Sequence, residues 1–208
     1  ERVAMRYKEF GLWQETTYAD FWLKSNFLSM GLKFFGIEKG DSVAIHSENR
    51  PEWFIADIGI QSIGAVSVGL YPTNPASEVE YLLSHSESKI LFAEDQEQVD
   101  KALQAIDSLP ILEKIIYFED RGLYNYDHPK IMRFDEFLQI GKSEYESFPE
   151  YVDVQLENIK DEDDWFPTPH GYSLCMSIND NSKINVEDMD LFNIKILDTF
   201  LSLLRNVN

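Results

Sequence analysis

Residues 40–87 read GDSVAIHSENRPEWFIADIGIQSIGAVSVGLYPTNPASEVEYLLSHSE, and this stretch decides the fold. Lys39-Gly40-Asp41 is turn chemistry, and Ser42–His46 after it is a short apolar run of strand type. Asn49-Arg50-Pro51-Glu52 then opens a helix. Asn49 is placed to accept from the orphan amides, Pro51 suits the first turn, and Glu52 can reach back. Trp53, Ala56, Ile60 and Ile63 form one face of that helix, and Phe54, Ile55 and Ile58 widen it. Burial on more than one side is therefore expected. A small-residue strand follows over Ala65–Gly69 and stops at Tyr71-Pro72-Thr73. Asn74 and Pro75 begin a second helix with Val79, Leu82 and Leu83 turned inward.

The same alternation extends in both directions. Upstream, Arg2–Tyr7 is strand-like, and Tyr18, Phe21, Ser25, Leu28, Leu32 and Phe35 recur at helical spacing. Thr17 with Asp20 three residues on forms a capping pair, and Gly36 supplies the stop. Downstream, Lys89–Ala93 reads as a strand, and Asp95 with Gln98 caps a helix carrying Val99, Leu103 and Ile106. Lys114–Phe118 is a further strand. Strands alternating with helices across short loops define the α/β class, a parallel sheet flanked by helices. Beyond it come a Gly- and Tyr-containing loop, a short helix at Phe134–Ile140, and an acidic linker ending in Asp161-Glu162-Asp163-Asp164.

Composition narrows the function classes. The 208 residues are 44% hydrophobic and 13% aromatic, which describes a globular chain with one good core. The net charge is −19, and residues 91–164 alone carry −13. An acidic middle excludes a phosphate-neutralising nucleic-acid binder and is read as a solvated face. The single cysteine, Cys175, forms no internal disulfide and fits a reducing, cytoplasmic compartment. With it, the scattered His46, His85, His128 and His170 give no zinc spacing. No run of eighteen apolar residues occurs, so no transmembrane segment is expected. Glu1 falls almost directly on the strand-like Arg2–Tyr7, and the expectation is a piece of a longer chain.

The wording of these segments resembles one family, the AMP-forming acyl-CoA synthetases, and within it the long-chain fatty-acid–CoA ligases. The resemblance runs from about Arg2 to Asp164. Its most specific phrases are Gly40–Ala44, Ser47–Trp53, Gln61–Thr73 and Glu80–Ser86, with Trp13–Trp22, Tyr117–Gly122 and Phe134–Gly141 in support. It implies a partial N-terminal AMP-binding domain over residues 1–164, followed by a divergent tail over 165–208. It also implies an overall reaction in which a fatty acid attacks the α-phosphate of ATP and the acyl group then passes to coenzyme A, with magnesium. That chemistry needs charge stabilisation on the phosphates. The family grips them with a Ser/Thr/Gly-rich loop, but here Asp164 is followed by Trp165-Phe166-Pro167-Thr168-Pro169-His170-Gly171-Tyr172. Two prolines remove amides from that phrase and one glycine remains, so it does not stand in for the loop.

No catalytic, cofactor-binding or metal residue of the family is therefore carried over to a numbered position. The expectation is a chain without catalysis of its own that binds none of ATP, magnesium or coenzyme A. Fatty acid would be a substrate only of a complete enzyme. Three features invite a functional reading. Ser47–Arg50 sits where a strand gives way to a helix, the usual ligand position in such sheets, though capping by Asn49 explains it more simply. Tyr71-Pro72-Thr73 lies on the same side, as a substrate or nucleotide wall or as a plain turn. His46 and His85 read as structural histidines beside apolar elements.

Residues 184–207 are helix-like, with Asn185 and Asp188 as caps, Phe192, Ile196, Phe200 and Leu203 on one face, and Ile194, Leu197, Leu201 and Leu204 on another. Two accounts stand: a helix packed over the sheet, or non-native sequence from a truncated or frame-shifted reading, the second preferred. Left unburied, this apolar tail and an exposed sheet edge imply self-association, and the tail implies peripheral contact with membranes. The competing function class is a stand-alone protein-interaction module built on the acidic surface and apolar helix. A small nucleotide-binding protein is a third reading, opposed by the lack of any G-x-G-x-x-G or G-x-x-x-x-G-K-S/T phrase.

Overall fold

A computed structural model describes residues 2–159. The linker end Asp161–Asp164, the Trp165–Tyr172 phrase and the helix expected over 184–207 lie outside the described residues. Two compact units divide the described chain at Trp22.

In the first unit, β1 (Val3–Glu9) and β2 (Leu12–Thr17) form an antiparallel hairpin. Phe10 and Gly11 make its two-residue turn, with φ of 46° and 83°. Both values lie in the left-handed region that this hairpin turn demands. Arg6 Nε pairs with Glu15 across the strands at 2.7 Å. The next element, α1 (Tyr18–Phe34), starts as the sequence anticipates: the Thr17 hydroxyl accepts from the Asp20 amide at 3.1 Å and donates to the Asp20 carboxylate at 2.7 Å.

The second unit holds a five-stranded parallel sheet. Its elements are β3 (Ser42–His46), α2 (Pro51–Gln61), β4 (Val66–Leu70), α3 (Ala76–His85), β5 (Ile90–Ala93), α4 (Gln96–Gln104) and β6 (Lys114–Tyr117). They are followed by β7 (Ile131–Arg133), α5 (Phe134–Ser147) and α6 (Tyr151–Asn158). The strand order is β4-β3-β5-β6-β7, and every pairing is parallel. Direction therefore reverses between β3 and β5: the chain leaves β3 for one side of the sheet and returns past it on the other.

Helices cover both faces. On one, Ala44, Leu91, Ala93, Ile115 and Tyr117 join Val79 and Leu83 of α3 and Val99 and Ala102 of α4 in a single buried core. On the other, Phe92 stands edge-on to Phe134 and Phe137 of α5 at 6.1 and 5.5 Å. Strands buried on both sides read as continuous apolar runs, and β3 and β5 are of this kind, β5 starting one residue after the expected Lys89. Close helix contacts depend on missing side chains. A Cβ on Gly59 would lie 2.6 Å from a Leu28 methyl and 2.8 Å from the Ser25 carbonyl oxygen. The Ser29 hydroxyl uses that proximity to donate to the Gly59 carbonyl at 2.7 Å.

Several expectations are corrected. Asn49 does not cap α2; the N-cap is Arg50, in extended conformation and without a side-chain cap bond. Glu52 bonds the Arg50 guanidinium at 2.7 Å rather than reaching back to an amide. Pro75, not Asn74, precedes α3, and the Asn74 residue is buried. Asp95 does cap α4, accepting from the Glu97 amide at 2.8 Å, but Gln98 turns inward and is buried. The strand expected over Ala65–Gly69 starts and ends one residue later. The short helix expected at Phe134–Ile140 runs on to Ser147. Part of the loop is a strand, β7, held in register because the Ile115 amide donates to the Lys130 carbonyl at 2.8 Å. Part of the acidic linker is a helix, α6, anchored by buried Val152.

Candidate functional site

The carboxyl ends of β3, β4, β5 and β6 lie along one edge of the sheet, and polar side chains converge there. The ladder continues past the strands: the Glu94 amide donates to His46 at 3.0 Å, and the Glu119 amide donates to Glu94 at 2.8 Å. Those bonds put two glutamates beside the loop after β3.

Arg50 is the hub. Its guanidinium reaches Glu52 at 2.7 Å, Glu119 at 3.5 Å and Glu94 at 3.8 Å, and lies 5.4 Å from the centre of the Phe118 ring. Burial alone would lower the Arg50 pKa, but the hydrogen bond and charge of Glu52, with Glu119 and Glu94 behind it, hold it above the ordinary arginine value. Glu94 does more than pair. Its carboxylate accepts from the Glu48 amide at 2.7 Å and from the Ser47 hydroxyl at 3.3 Å. The residue after β5 therefore pins the loop that leads into α2.

The loop after β4 is pinned by two side chains from other elements. His46 Nε2 lies 3.0 Å from the Tyr71 carbonyl oxygen, and Lys101 Nζ of α4 donates to the Pro72 carbonyl at 2.7 Å. A carbonyl only accepts, so Nε2 carries the imidazole proton. Burial, with the Lys101 charge second, lowers the His46 pKa to about 4. His46 is thus a neutral structural donor at physiological pH.

The two loops singled out from sequence, Ser47–Arg50 and Tyr71–Thr73, are brought to the same edge, and His46 joins them. His85 is not part of this edge; it ends α3, where its ring stacks on Tyr81 at 5.5 Å. Sequence reasoning missed Glu94, Glu119 and Lys101. The signal for the two glutamates was an acid placed one and two residues beyond two parallel strands, which ladder geometry carries to the β3 loop.

This edge does not fit the phosphates of a nucleotide. The Glu48 amide is already filled by a carboxylate, and three carboxylates surround Arg50. A phosphate cradle needs free amides and a positive field. Nor do three metal-ligating side chains converge anywhere among the described residues.

An open parallel sheet with helices on both faces and a strand-order reversal is the doubly wound α/β architecture, in which ligands bind at the point of reversal. The family model described as AMP-binding enzyme matches residues 1–156, and the chain belongs to that family. A long-chain-fatty-acid–CoA ligase of Xenopus laevis is 34% identical over 157 residues, covering 76% of this chain and 20% of the relative. Another, from Mycobacterium tuberculosis, is 33% identical over 112 residues, covering 54% of this chain and 19% of the relative. The chain thus spans about a fifth of the length of these curated relatives. Among solved structures, an acetoacetyl-CoA synthetase from Streptomyces lividans matches with TM-score 0.59 and 19% identity, over 66% of this chain and 22% of that one. An anthranilate–CoA ligase in complex with anthranoyl-AMP matches with TM-score 0.55 and 23% identity, over 61% and 23%. At these identities the two structures show the fold.

Proposed function

We propose that this chain is the front of the AMP-binding domain of a long-chain fatty-acid–CoA ligase, residues 1–164 forming part of that domain and 165–208 a divergent tail. In the complete enzyme the reaction would be fatty acid, ATP and coenzyme A to acyl-CoA, AMP and pyrophosphate, through an acyl-adenylate. The observation that carries the reading is the 34% identity to a long-chain ligase over 157 residues, 76% of this chain. The 208 residues by themselves are proposed to be inactive, because the sequence holds no Ser-Gly-Thr-Thr-Gly phrase and the described residues form no positive, amide-rich edge. A cytoplasmic location is part of the proposal; no helix among the described residues is long and apolar enough to cross a membrane.

Two measurements test it. Calorimetry of the 208-residue chain with ATP and magnesium should give no dissociation constant tighter than about 1 mM, or about −4 kcal/mol. Grafting residues 2–164 in place of the matching segment of a full-length long-chain ligase should retain pyrophosphate release with palmitate, since the host supplies the phosphate loop. A folded but inactive chimera, or tight ATP binding by the chain alone, contradicts the reading.

A further inference from the structure

The tip of the β1–β2 hairpin carries the most exposed large apolar residue described, Phe10 at 97%, and Leu12 and Trp13 beside it are each 68% exposed. We propose that this tip is a membrane-surface anchor, in which Phe10, Leu12 and Trp13 enter the headgroup–acyl boundary of an anionic bilayer while Lys8 meets its phosphates. This inference rests on the hairpin and not on the ligase reading.

Three observations favour a bilayer over a protein groove. Leu12 and Trp13 are adjacent in β2, so they point to opposite faces of the hairpin, and Phe10 sits at the apex. A protein partner or an added strand covers one face or one edge. A fluid apolar medium surrounds all three at once. Second, the hairpin over residues 2–17 carries Arg2, Arg6 and Lys8 against Glu9 and Glu15, with Arg6 paired to Glu15, in a chain whose net charge is −19. Lys8 is exposed and stands directly across the ladder from Trp13. A hairpin free of the chain's acidic excess, with an exposed lysine facing a tryptophan, suits an anionic surface, and Trp beside Lys is the side-chain chemistry of the membrane interface. Third, Phe10 has φ of 46°. Asn, Asp or Gly suits that position and a bulky aromatic does not, so turn geometry gives no reason for Phe.

The test is flotation of the full 208-residue chain with vesicles of phosphatidylcholine alone and of phosphatidylcholine with about 30% phosphatidylserine. The chain should float with the anionic vesicles, less with the neutral ones, and less in high salt. Phe10→Asn should weaken partitioning at least about tenfold, while Asn-Gly improves the hairpin turn and so keeps the fold. Trp13→Thr, which keeps strand propensity, should act in the same direction. Phe148→Ser, at an apolar residue 53% exposed elsewhere, should leave flotation unchanged. Failure of the unaltered chain to float would overturn the proposal and leave a protein partner as the occupant. So would flotation of the Phe10→Asn variant at the unaltered level, or an equal loss in Phe148→Ser.

Discussion

Burial at the end of β3, with Lys101 nearby, lowers the His46 pKa from 6.5 to about 4, so the ring stays neutral wherever the chain is folded near neutrality. The unfolded chain takes up that proton near pH 6.5, whereas the folded chain resists it until about pH 4. The stability this contributes is therefore whole above pH 6.5 and is lost as pH falls towards 4, by about 3 kcal/mol for a shift of this size. Urea unfolding across that window should show the loss. His46→Gln keeps an amide donor for the Tyr71 carbonyl and should remove this part of the slope. Equal slopes in both proteins would mean that the carboxylates alone govern the acid limb. His46 was legible as a structural histidine from its place at the end of an apolar strand. Arg50 was legible only as a loop residue, because the three glutamates that define its setting come from 2, 44 and 69 positions further along the chain.

Each of the first three helices of the sequence ends in the same way, with a left-handed residue and a bond that spans the turn. After α1, Gly36 has φ of 76° and the Ile37 amide donates to Leu32 at 3.0 Å. After α3 the same device falls on Glu87, with φ of 53°, and the Ser88 amide donates to Leu83 at 3.1 Å. A side chain in that conformation costs roughly 1 kcal/mol. Glu87→Gly should therefore raise stability by up to about 1 kcal/mol in chemical denaturation; a loss would show that the Glu87 side chain contributes something the backbone does not reveal. Gly59 is the opposite case. Alanine there gains about 1 kcal/mol of helix propensity, but its Cβ meets the Ser25 backbone and Leu28, and overpacking costs about 1–3 kcal/mol. Packing wins, so Gly59→Ala should lower the unfolding midpoint. The sequence marks Gly36 as a stop because it closes an apolar period, but nothing in it marks Gly59 as a crossing point. That information sits in α1, thirty residues away.

Among the described residues the outer strands β4 and β7 each pair on one side only. An unpaired strand edge is a template for another chain, and the net charge of −19 opposes approach only through a screened field. Self-association is the expected outcome, rising with salt. Light scattering of the 208-residue chain at increasing concentration should show growth in mean mass, and a constant monomer mass in high salt would refute it.

Fold class and the parallel direction of the strands were determined by the sequence alone, because both follow from local pattern. Apolar runs of four or five residues, separated by capped amphipathic helices and short turns, have one low-energy arrangement. The Asp95 cap and the Thr17–Asp20 pair were legible for the same reason, their partners lying within three residues. Only the tertiary structure decided which strand lies beside which, and with it the polar edge. The order β4-β3-β5-β6-β7 sets Glu94 and Glu119 next to Arg50, and Glu94 then holds the Glu48 amide in the loop before α2. The ladder past β5 is what carries that carboxylate to the Glu48 amide and to Arg50, far away along the chain. Sequence spacing carries no trace of such a contact.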